Sequence, residues 1–371
     1  MRDVIIIGGG LAGLVNAIQL ARSGLDVLLL EKNQYPFHKV CGEYVSHEVV
    51  PFMKSLGIYP LEMEPAQITR FQLTSTNGNQ ALLNLNLGGF GISRYAFDHY
   101  LLQKALDAGA TVLQNVSVEN VNYENDEFQV AWSGSGEGFS RLVIGAYGKR
   151  SKLDKGLDRG FISKRSPFIA VKYHIKTNLP LDLIALHNFR GGYCGIVKVE
   201  GETFNLCYLS RRENLKISGS ISQMEEQILS QNPYLQTLFK ESEFMFEKPL
   251  VINEVSFTSK NAVEDHILMS GDSAGLITPL CGNGMAMAIH SAKILSQLIL
   301  RYYDPKGFPR YQLESEYARE WSSKFARRLW VGRATQNLFG SPWASNLGVG
   351  LFKYLKPVAR KLVEQTHGGP F

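Results

Sequence analysis

The 371-residue sequence has few cysteines, no long basic run and no long apolar run. Its four cysteines form no CxxC pair, which excludes a disulfide scaffold and favours a reducing compartment, so we expect a cytoplasmic protein. A net charge of +5 without a long run of Lys and Arg argues against a nucleic-acid partner. No apolar stretch reaches the roughly 20 residues of a membrane span, and the first strand begins so near Met1 that we expect no signal peptide.

Several active-site patterns are missing as well. The sequence has no metal-ligand spacing, no Ser-His-Asp order and no phosphate-transfer loop, so we expect no bound metal. A hydrophobic content of 44% is enough for a large core or for two domains that share one. The chemistry of such a protein is expected to come from an organic cofactor.

The beginning of the chain predicts a βαβ unit that binds a dinucleotide. The stretch DVIIIGGGLAGLVNAIQLARSGLDVLLLEK is typical of a buried strand, a glycine turn, a helix and a second strand. Gly8, Gly10 and Gly13 fit GxGxxG, in which the glycines allow a tight turn, the approach of a pyrophosphate and close helix packing. Glu31 ends the second strand, where an acid binds an adenosine ribose, and its neighbour Lys32 is a further cofactor-binding candidate.

A second glycine-rich stretch, GDSAGLITPLCGNGMAMA, lies too far along the chain to belong to the same βαβ unit. We predict a strand that ends before Asp272 and a helix that begins near Asn283. A carboxylate at a strand end can bind a sugar-alcohol hydroxyl, and a glycine-led helix N-terminus stabilises an anion. FAD offers both groups, because it carries a ribityl chain and a ring that is anionic when reduced. The two stretches together therefore predict FAD.

This second stretch resembles the Gly-Asp and proline segment of FAD-dependent enzymes of the para-hydroxybenzoate hydroxylase and geranylgeranyl reductase superfamily. The resemblance implies that Asp272 binds the ribityl or phosphate region and that Pro279 lies beside the flavin ring. It also implies that Gly282, Asn283 and Gly284 present backbone N–H groups to the flavin. A glycine-rich loop with a capping aspartate is the alternative interpretation.

Two further segments extend the resemblance. PFHKVCGEYVS is similar to the Cys-Gly segment of the reductase branch, which borders the flavin, so Cys41 is the candidate catalytic residue. His38 and Lys39 in this segment either attract an anionic ligand or are solvated. GISRYAFDHYLLQKALDAGA is similar to an Arg-led helix, which implies that Arg94 approaches the cofactor. A salt bridge from Arg94 to Asp98, four residues later, is the alternative.

One segment departs from the family pattern. RLVIGAYGKRS has Tyr147 and Gly148 where the family usually has an Asp-Gly pair. That aspartate is associated with cofactor contacts and with the nicotinamide donor. NADPH or NADH therefore stays a candidate electron donor, but we expect direct reduction by NADPH to be slow.

Short alternating runs between the cofactor segments predict a largely antiparallel sheet. We therefore predict an α/β fold with a Rossmann-type FAD-binding domain, an inserted antiparallel substrate domain and a helical C-terminal region. The boundaries are 1–60, 91–151 and 262–302 for the FAD-binding domain, 61–90 and 152–261 for the substrate domain, and 303–371 for the helical region. Tyr173, Tyr193 and Tyr208 are candidates to line a cavity for a hydrophobic small-molecule substrate, although strand aromatics commonly belong to the core.

Basic residues alternate with Trp and Phe after about Tyr302. Basic amphipathic helices of this kind can lie on an anionic membrane surface, and they can equally cover an active site. Peripheral membrane contact through these helices and a reductase partner are therefore the partner hypotheses besides the substrate.

Two reactions fit an FAD enzyme with these segments. Hydroxylation of a hydrophobic aromatic or polyketide-like compound through a C4a-hydroperoxyflavin is placed slightly ahead of alkene reduction in an isoprenoid or other lipid. The KVCGE segment favours the reductase branch, whose aromatic and proline substrate motif is missing here. The missing Trp-x-Trp-x-Ile-Pro segment argues against halogenation. A flavin-binding protein without turnover is the third hypothesis.

Overall fold

Two β-sheets and the helices around them form the protein, whose computed structural model describes residues 1–163, 166–253, 255, 257–278, 282–304, 308–336 and 341–371. The strands are β1 (Arg2–Ile7), β2 (Val27–Leu30), β3 (Tyr44–Ser46), β4 (Ala66–Thr74), β5 (Gln80–Gly91), β6 (Thr111–Leu113), β7 (Val118–Glu124), β8 (Glu127–Trp132), β9 (Gly136–Gly145), β10 (Phe168–Lys176), β11 (Leu183–Phe189), β12 (Gly192–Lys198), β13 (Phe204–Arg211), β14 (Glu243–Phe244), β15 (Leu250–Ile252), β16 (Val263–Glu264) and β17 (Ile267–Met269). The helices are α1 (Leu11–Arg22), α2 (Val50–Ser55), α3 (Arg94–Asp107), α4 (Leu153–Gly156), α5 (Arg212–Ser218), α6 (Ile221–Gln227), α7 (Pro233–Glu241), α8 (Gly284–Tyr302), α9 (Arg310–Gln336), α10 (Pro342–Tyr354) and α11 (Lys356–Thr366).

The first sheet has the order β16-β17-β9-β1-β2-β6, with β8 and then β7 added beside β9. Strand β1 lies in its centre and runs parallel to both β2 and β9. Val4, Ile5 and Ile6 are fully buried, as expected for a central parallel strand covered on both faces. Helix α1 packs against α3 and α8. This sheet is the predicted Rossmann-type unit.

The second sheet has the order β14-β10-β13-β12-β11-β4-β5-β3, with β15 beside β10. Its pairs are antiparallel except for β4 and β11. The predicted fold class is therefore confirmed. One strand differs from the predicted domain boundaries: β3 pairs with β5 in this sheet, although the segment 1–60 was assigned to the FAD-binding domain.

Side-chain alternation gives the second sheet two different faces. On the back face, Val171 and Tyr173 of β10 pack with Met224 of α6 and Leu235 of α7 in one buried apolar cluster. On the front face, Lys172 of β10 contacts the loop that follows β2. The front face is therefore the one that meets the first sheet's connections.

The helices after residue 308 cover the two sheets from outside. Helix α9 packs along α8, and α10 and α11 pack on β5. Val349 of α10 and Ala359 of α11 share a buried cluster with Leu83 of β5 and Tyr193 of β12. Within the described ranges, none of the helices combines the length and apolar character that a membrane span needs.

Candidate cofactor site

The turn between β1 and α1 has the geometry of a nucleotide-binding loop. Gly8 has φ of +102°, and a Cβ atom there would lie 2.6 Å from the carbonyl oxygen of Ala146, at the end of β9. A Cβ atom on Gly13 would overlap the carbonyl oxygen of Gly8. Only glycine fits at these two positions, because the turn closes directly onto the neighbouring backbone.

Two cationic side chains lie close to the second glycine of this turn. The Cβ position of Gly10 is open, and the nearest atoms to it are Nη2 of Arg94 at 3.6 Å and Nζ of Lys39 at 4.0 Å. Helix α1 begins at the next residue, so its N-terminal N–H groups point to the same space. A pyrophosphate fits this cradle, because backbone N–H groups and two cations converge on a position without a side chain.

Asp98 fixes both cations. Its carboxylate is 1% exposed and accepts hydrogen bonds from Nζ of Lys39 at 2.9 Å and from Nε and Nη2 of Arg94 at 2.7 and 2.8 Å. Burial raises the pKa of Asp98, but Arg94 and Lys39 outweigh it and hold this pKa below its usual value. The i,i+4 salt bridge is therefore present, and it leaves Nη2 of Arg94 beside the nucleotide turn, so its contact with the cofactor stays a prediction. The three side chains together leave one positive charge.

Glu31 lies at the end of β2, beside the same turn. Its Oε2 accepts a hydrogen bond from the backbone N–H of Gly9 at 2.8 Å, and its Oε1 accepts from the backbone N–H and the side chain of Asn33 at 3.0 and 2.8 Å. This is the position predicted for a ribose-binding acid. Lys32 is exposed and follows it directly.

The two glycine-rich stretches meet at helix α1. Nδ2 of Asn16 in α1 donates to Oγ of Ser270, directly before the Gly-Asp pair, at 3.2 Å. A Cβ atom on Gly271 would lie 2.9 Å from the Cβ of Ala12. Ser291 of α8 accepts the backbone N–H of Gly271 at 2.8 Å. The two segments, distant in the sequence, therefore pack against each other, as a shared cofactor site requires.

Asp272 lies close to the N-terminus of α8. It belongs to a 3-10 turn, is partly buried, and borders the same tightly packed gap as Gly284, the first residue of α8. Gly282 has φ of +61°, a backbone conformation that favours glycine. The Asn283 side chain donates to Oε1 of Glu48 at 2.7 Å, so it fixes the start of α8, and its backbone stays the predicted flavin contact. The predicted ring contact, Pro279, lies outside the described residues.

We expect Asp272→Ala to weaken FAD binding by about 1–3 kcal/mol and to leave the melting temperature of the flavin-free protein unchanged. Among the described residues, no hydrogen bond to the Asp272 carboxylate is formed, whereas its backbone carbonyl accepts from Nζ of Lys260 at 2.9 Å. Titration of the flavin-free protein with FAD measures the affinity.

Glu226→Ala is the matched control, since it removes an exposed carboxylate of α6 on the second sheet. A variant of Asp272 that binds FAD normally but melts early would show that this carboxylate serves the fold alone.

Cys41 lies between the cation pair and the front face of the second sheet. Its side chain interacts with the Arg94 guanidinium, and its backbone carbonyl accepts from Nδ2 of Asn205 in β13 at 3.1 Å. The predicted catalytic candidate thus lies beside a predicted cofactor-binding cation. Its catalytic role stays a prediction.

A buried ion-pair network behind Cys41 was not predicted from the sequence. Glu43 is fully buried, with φ of +54°, and accepts from Nζ of Lys172, from Nε2 of His174 at 2.7 Å and from the backbone N–H of Arg94 at 2.7 Å. Burial raises the pKa of Glu43, but Lys172 and His174 outweigh it and hold this pKa below its usual value. Lys172 also donates to the carbonyl of Lys39 at 3.1 Å. The network joins the sheet, the Cys41 loop and α3.

The sequence of β10, FIAVKYHIK, contains one indication of this network. Lys172 and His174 alternate with apolar residues, so both point to one face of β10, and a buried strand with two such residues requires an acidic partner. His38 packs edge-on against His174 with ring centroids 5.0 Å apart. Burial and the neighbouring His174 and Lys172 lower the pKa of His38 to about 4, so it is neutral at pH 7 and does not attract an anion.

Two of the three predicted substrate tyrosines lie on the other face of the sheet. The hydroxyl groups of Tyr173 and Tyr208 donate to Oε1 of Glu225 in α6 at 3.0 and 2.7 Å, under the helices of the back face. They belong to the core beneath these helices, so the prediction that they line a cavity for a hydrophobic substrate does not fit this position, because strand alternation turns them away from Lys172. Tyr193 lies on the front face, buried with Leu209.

Tyr147, which stands where the family pattern has an aspartate, lies at the end of β9. Its hydroxyl donates to Oδ1 of Asp154 at 3.2 Å, and that carboxylate also accepts from Arg159 at 3.0 Å. Burial and the neighbouring Asp154 raise the pKa of Tyr147, so the phenol is neutral. The next backbone N–H, of Gly148, donates to Oγ of Ser273 at 2.9 Å. Tyr147 therefore lies directly beside the Gly-Asp segment.

We expect NADPH to reduce the flavin of the unaltered protein slowly and that of Tyr147→Asp faster. A partly buried, neutral phenol supplies neither the charge nor the space of the usual aspartate. Rapid-mixing measurement of flavin bleaching compares the two proteins, with dithionite as the reductant that neither side chain affects.

Tyr147→Phe is the matched control, because it keeps the ring and should stay slow. Fast reduction of the unaltered protein by NADPH would contradict the expectation.

The nucleotide turn, the cation pair and the Gly-Asp segment define a Rossmann-type FAD-binding protein. The family model described as FAD binding domain matches residues 1–318, so the chain belongs to this family of FAD-dependent oxidoreductases. The superfamily resemblance drawn from the motifs is confirmed, and FAD is the cofactor of the family.

Two curated relatives and one solved structure illustrate the similarity. The chain is 28% identical to digeranylgeranylglycerophospholipid reductase 2 of Methanothermobacter thermautotrophicus, over 88% of this chain and 85% of that protein. It is 23% identical to conditioned medium factor receptor 1 of Dictyostelium discoideum, over 98% of this chain and 74% of that protein. The structure of halogenase PltM with phloroglucinol and FAD matches with a TM-score of 0.77 at 17% identity, over 98% of this chain and 84% of that one, which shows a shared fold.

Proposed function

We propose that this protein is an FAD-dependent oxidoreductase that reduces carbon–carbon double bonds of a hydrophobic, lipid-like substrate. The observation that carries the proposal is the position of residues 41–43, Cys-Gly-Glu, between the cation pair and the front face of the second sheet. This segment resembles the reductase branch, and the similarity to an archaeal lipid reductase covers most of both chains. Alkene reduction therefore comes before the hydroxylation that the motifs alone placed first.

Each part of the site has a role in this reaction. Arg94 and Lys39 bind the pyrophosphate, Glu31 binds the ribose, and the N-terminus of α8 stabilises negative charge near the ring. Bound FAD, once reduced by an external electron donor, would supply the hydride. The Glu43 network fixes the loop so that the Cys41 thiol faces the cofactor side, where it is our candidate proton donor to the second alkene carbon.

The substrate is expected to contact the apolar part of the front face. Leu186, Tyr193 and Leu209 form a buried cluster there, with α10 and α11 above them. These side chains exclude water and offer dispersion contacts to a hydrocarbon chain, but they offer no charged group to a polar substrate. This supports a hydrophobic substrate for either reaction.

The reaction is tested with dithionite-reduced protein under anaerobic conditions. We expect a geranylgeranyl-type phospholipid to reoxidise the flavin and to gain two hydrogen atoms for each double bond, measured by absorbance and mass spectrometry. Cys41→Ala should keep FAD and lose most of this activity. Cys207→Ala, the matched control on β13, should keep both.

Other outcomes separate the remaining hypotheses. Reoxidation only in the presence of oxygen, with an oxygen atom added to a phenolic compound, would support hydroxylation instead. A protein that binds FAD but gives no product with either substrate class would support the non-catalytic hypothesis.

A further inference from the structure

Helix α10 has an apolar stripe on its outer side as well as on its inner side. Trp343, Leu347 and Tyr354 are 75%, 59% and 76% exposed, and their spacing puts them along one side of the helix. Val349 and Phe352, on the opposite side, are buried against the second sheet. The inner stripe explains how the helix packs on the protein, but the outer stripe has no such explanation within the described residues.

The neighbouring helices carry further exposed apolar side chains. Trp330 of α9 is 65% exposed, and both Leu355, between α10 and α11, and Val358, in the first turn of α11, are 52% exposed. Helix α11 contacts both α9 and α10. We call the six exposed residues on these helices the outer surface: Trp330, Trp343, Leu347, Tyr354, Leu355 and Val358. Apolar residues gathered on one surface indicate a site of interaction.

The same part of the chain carries the net positive charge of the protein. Residues 321–371 contain eight Lys and Arg and one acidic residue, whereas the whole chain has a net charge of only +5, so the rest is net acidic. Lys324, Arg327, Lys353 and Lys361 are exposed on α9, α10 and α11. The charge asymmetry gives the molecule a basic end that an anionic surface attracts.

We propose that the outer surface docks on the surface of an anionic lipid bilayer. Tryptophan and tyrosine rings favour the headgroup boundary, aliphatic side chains enter the acyl region, and Lys and Arg attract the anionic headgroups. A second copy of the chain fits this surface less well, because two basic surfaces repel each other. The docking does not depend on the proposed reaction, since these residues lie on the outer side of the helices that cover the second sheet.

Vesicle co-sedimentation of the full-length, FAD-loaded protein tests the proposal. We expect binding to vesicles that contain phosphatidylglycerol, weak binding to phosphatidylcholine alone and release by salt. The double variant Trp343→Ser/Leu347→Ser and the charge variant Lys353→Glu/Lys361→Glu should each bind about ten-fold more weakly or worse. Quenching of tryptophan fluorescence by brominated lipid should fall in the first of these variants.

Ile217→Ser is the matched control, because Ile217 is an equally exposed aliphatic residue (76%) on α5. FAD content and melting temperature show that each variant is folded. Unchanged vesicle binding of both double variants would overturn the proposal, and so would equal binding to neutral vesicles. A concentration-dependent dimer that the Trp343→Ser/Leu347→Ser variant abolishes, without vesicle binding by the unaltered protein, would assign the surface to a second copy instead.

Discussion

The Gly10→Val variant is expected to fold and to be purified without FAD. The Cβ direction of Gly10 points into the open space in front of Arg94 and Lys39, at 3.6 and 4.0 Å. A valine side chain would fill the volume that a pyrophosphate needs to reach both the backbone and the cations. We expect the dissociation constant to rise by about 100-fold or more, which corresponds to about 2.8 kcal/mol.

Flavin absorbance of the purified variant and titration of the flavin-free protein measure this loss. Gly10→Ala should lose less, because a single methyl group occupies less of the open space. Gly160→Val is the matched control: Gly160 is exposed, and a Cβ atom there meets nothing within 4 Å. A folded Gly10→Val protein with a full complement of FAD would place the pyrophosphate elsewhere.

The Glu43→Ala variant is expected to lose about 3–5 kcal/mol of unfolding free energy. Lys172 is fully buried, and its ammonium has Glu43 as its ion-pair partner. Removal of the carboxylate leaves that charge, the His174 ring and the backbone N–H of Arg94 without this acceptor. Denaturant unfolding of the flavin-free protein measures the effect without the contribution of bound cofactor.

The double variant Glu43→Leu/Lys172→Met is the control for this network. It removes both charges and fills a similar volume, so we expect it to regain much of the stability that Glu43→Ala loses. A cost below about 1 kcal/mol for Glu43→Ala would show that the network contributes little to the fold.

The lowered pKa values of Glu43 and Asp98 predict how stability depends on pH. Both carboxyl groups have a lower pKa in the folded protein than in the unfolded chain. Their stabilising contribution is therefore complete above the unfolded pKa and is lost as the pH falls through the folded pKa. Acid unfolding of Glu43→Gln, followed by circular dichroism, should accordingly depend less on pH below about 4.5 than that of the unaltered protein.

The parts of the site that depend on local sequence could be predicted. The contact that requires Gly13 lies within the first βαβ unit and the positive φ of Gly8 is local to its turn, so a short motif explains both glycines, although Gly8 also lies against the distant backbone of Ala146. The proximity of this unit to Asp272 followed from the shared ligand, FAD, and from the resemblance rather than from a local pattern, because residues of α1 and α8 bring the two segments together. The fold class was predictable for the same reason, since strand and helix periodicity are local properties.

The charge network and the orientation of the strands were not predictable in this way. Glu43 and Lys172 are 129 residues apart in the sequence, and no local pattern around either residue identifies the other as its partner. Alternation along β10 separates Tyr173 from Lys172, but it does not tell which face the helices cover. Only the packing of α6 and α7 decides that Tyr173 is on the back face.

The bonds from Asp98 to Arg94 and Lys39 also affect the thermodynamics of cofactor capture. Each of these long side chains has about 2 kcal/mol of rotamer entropy when it is free. In this protein that entropy is lost during folding, because Asp98 holds both side chains in place before any ligand arrives. Binding of a dinucleotide therefore restricts less side-chain motion. Because Asp98 neutralises one of the two positive charges, the site also attracts a distant anion less strongly than two unpaired cations would.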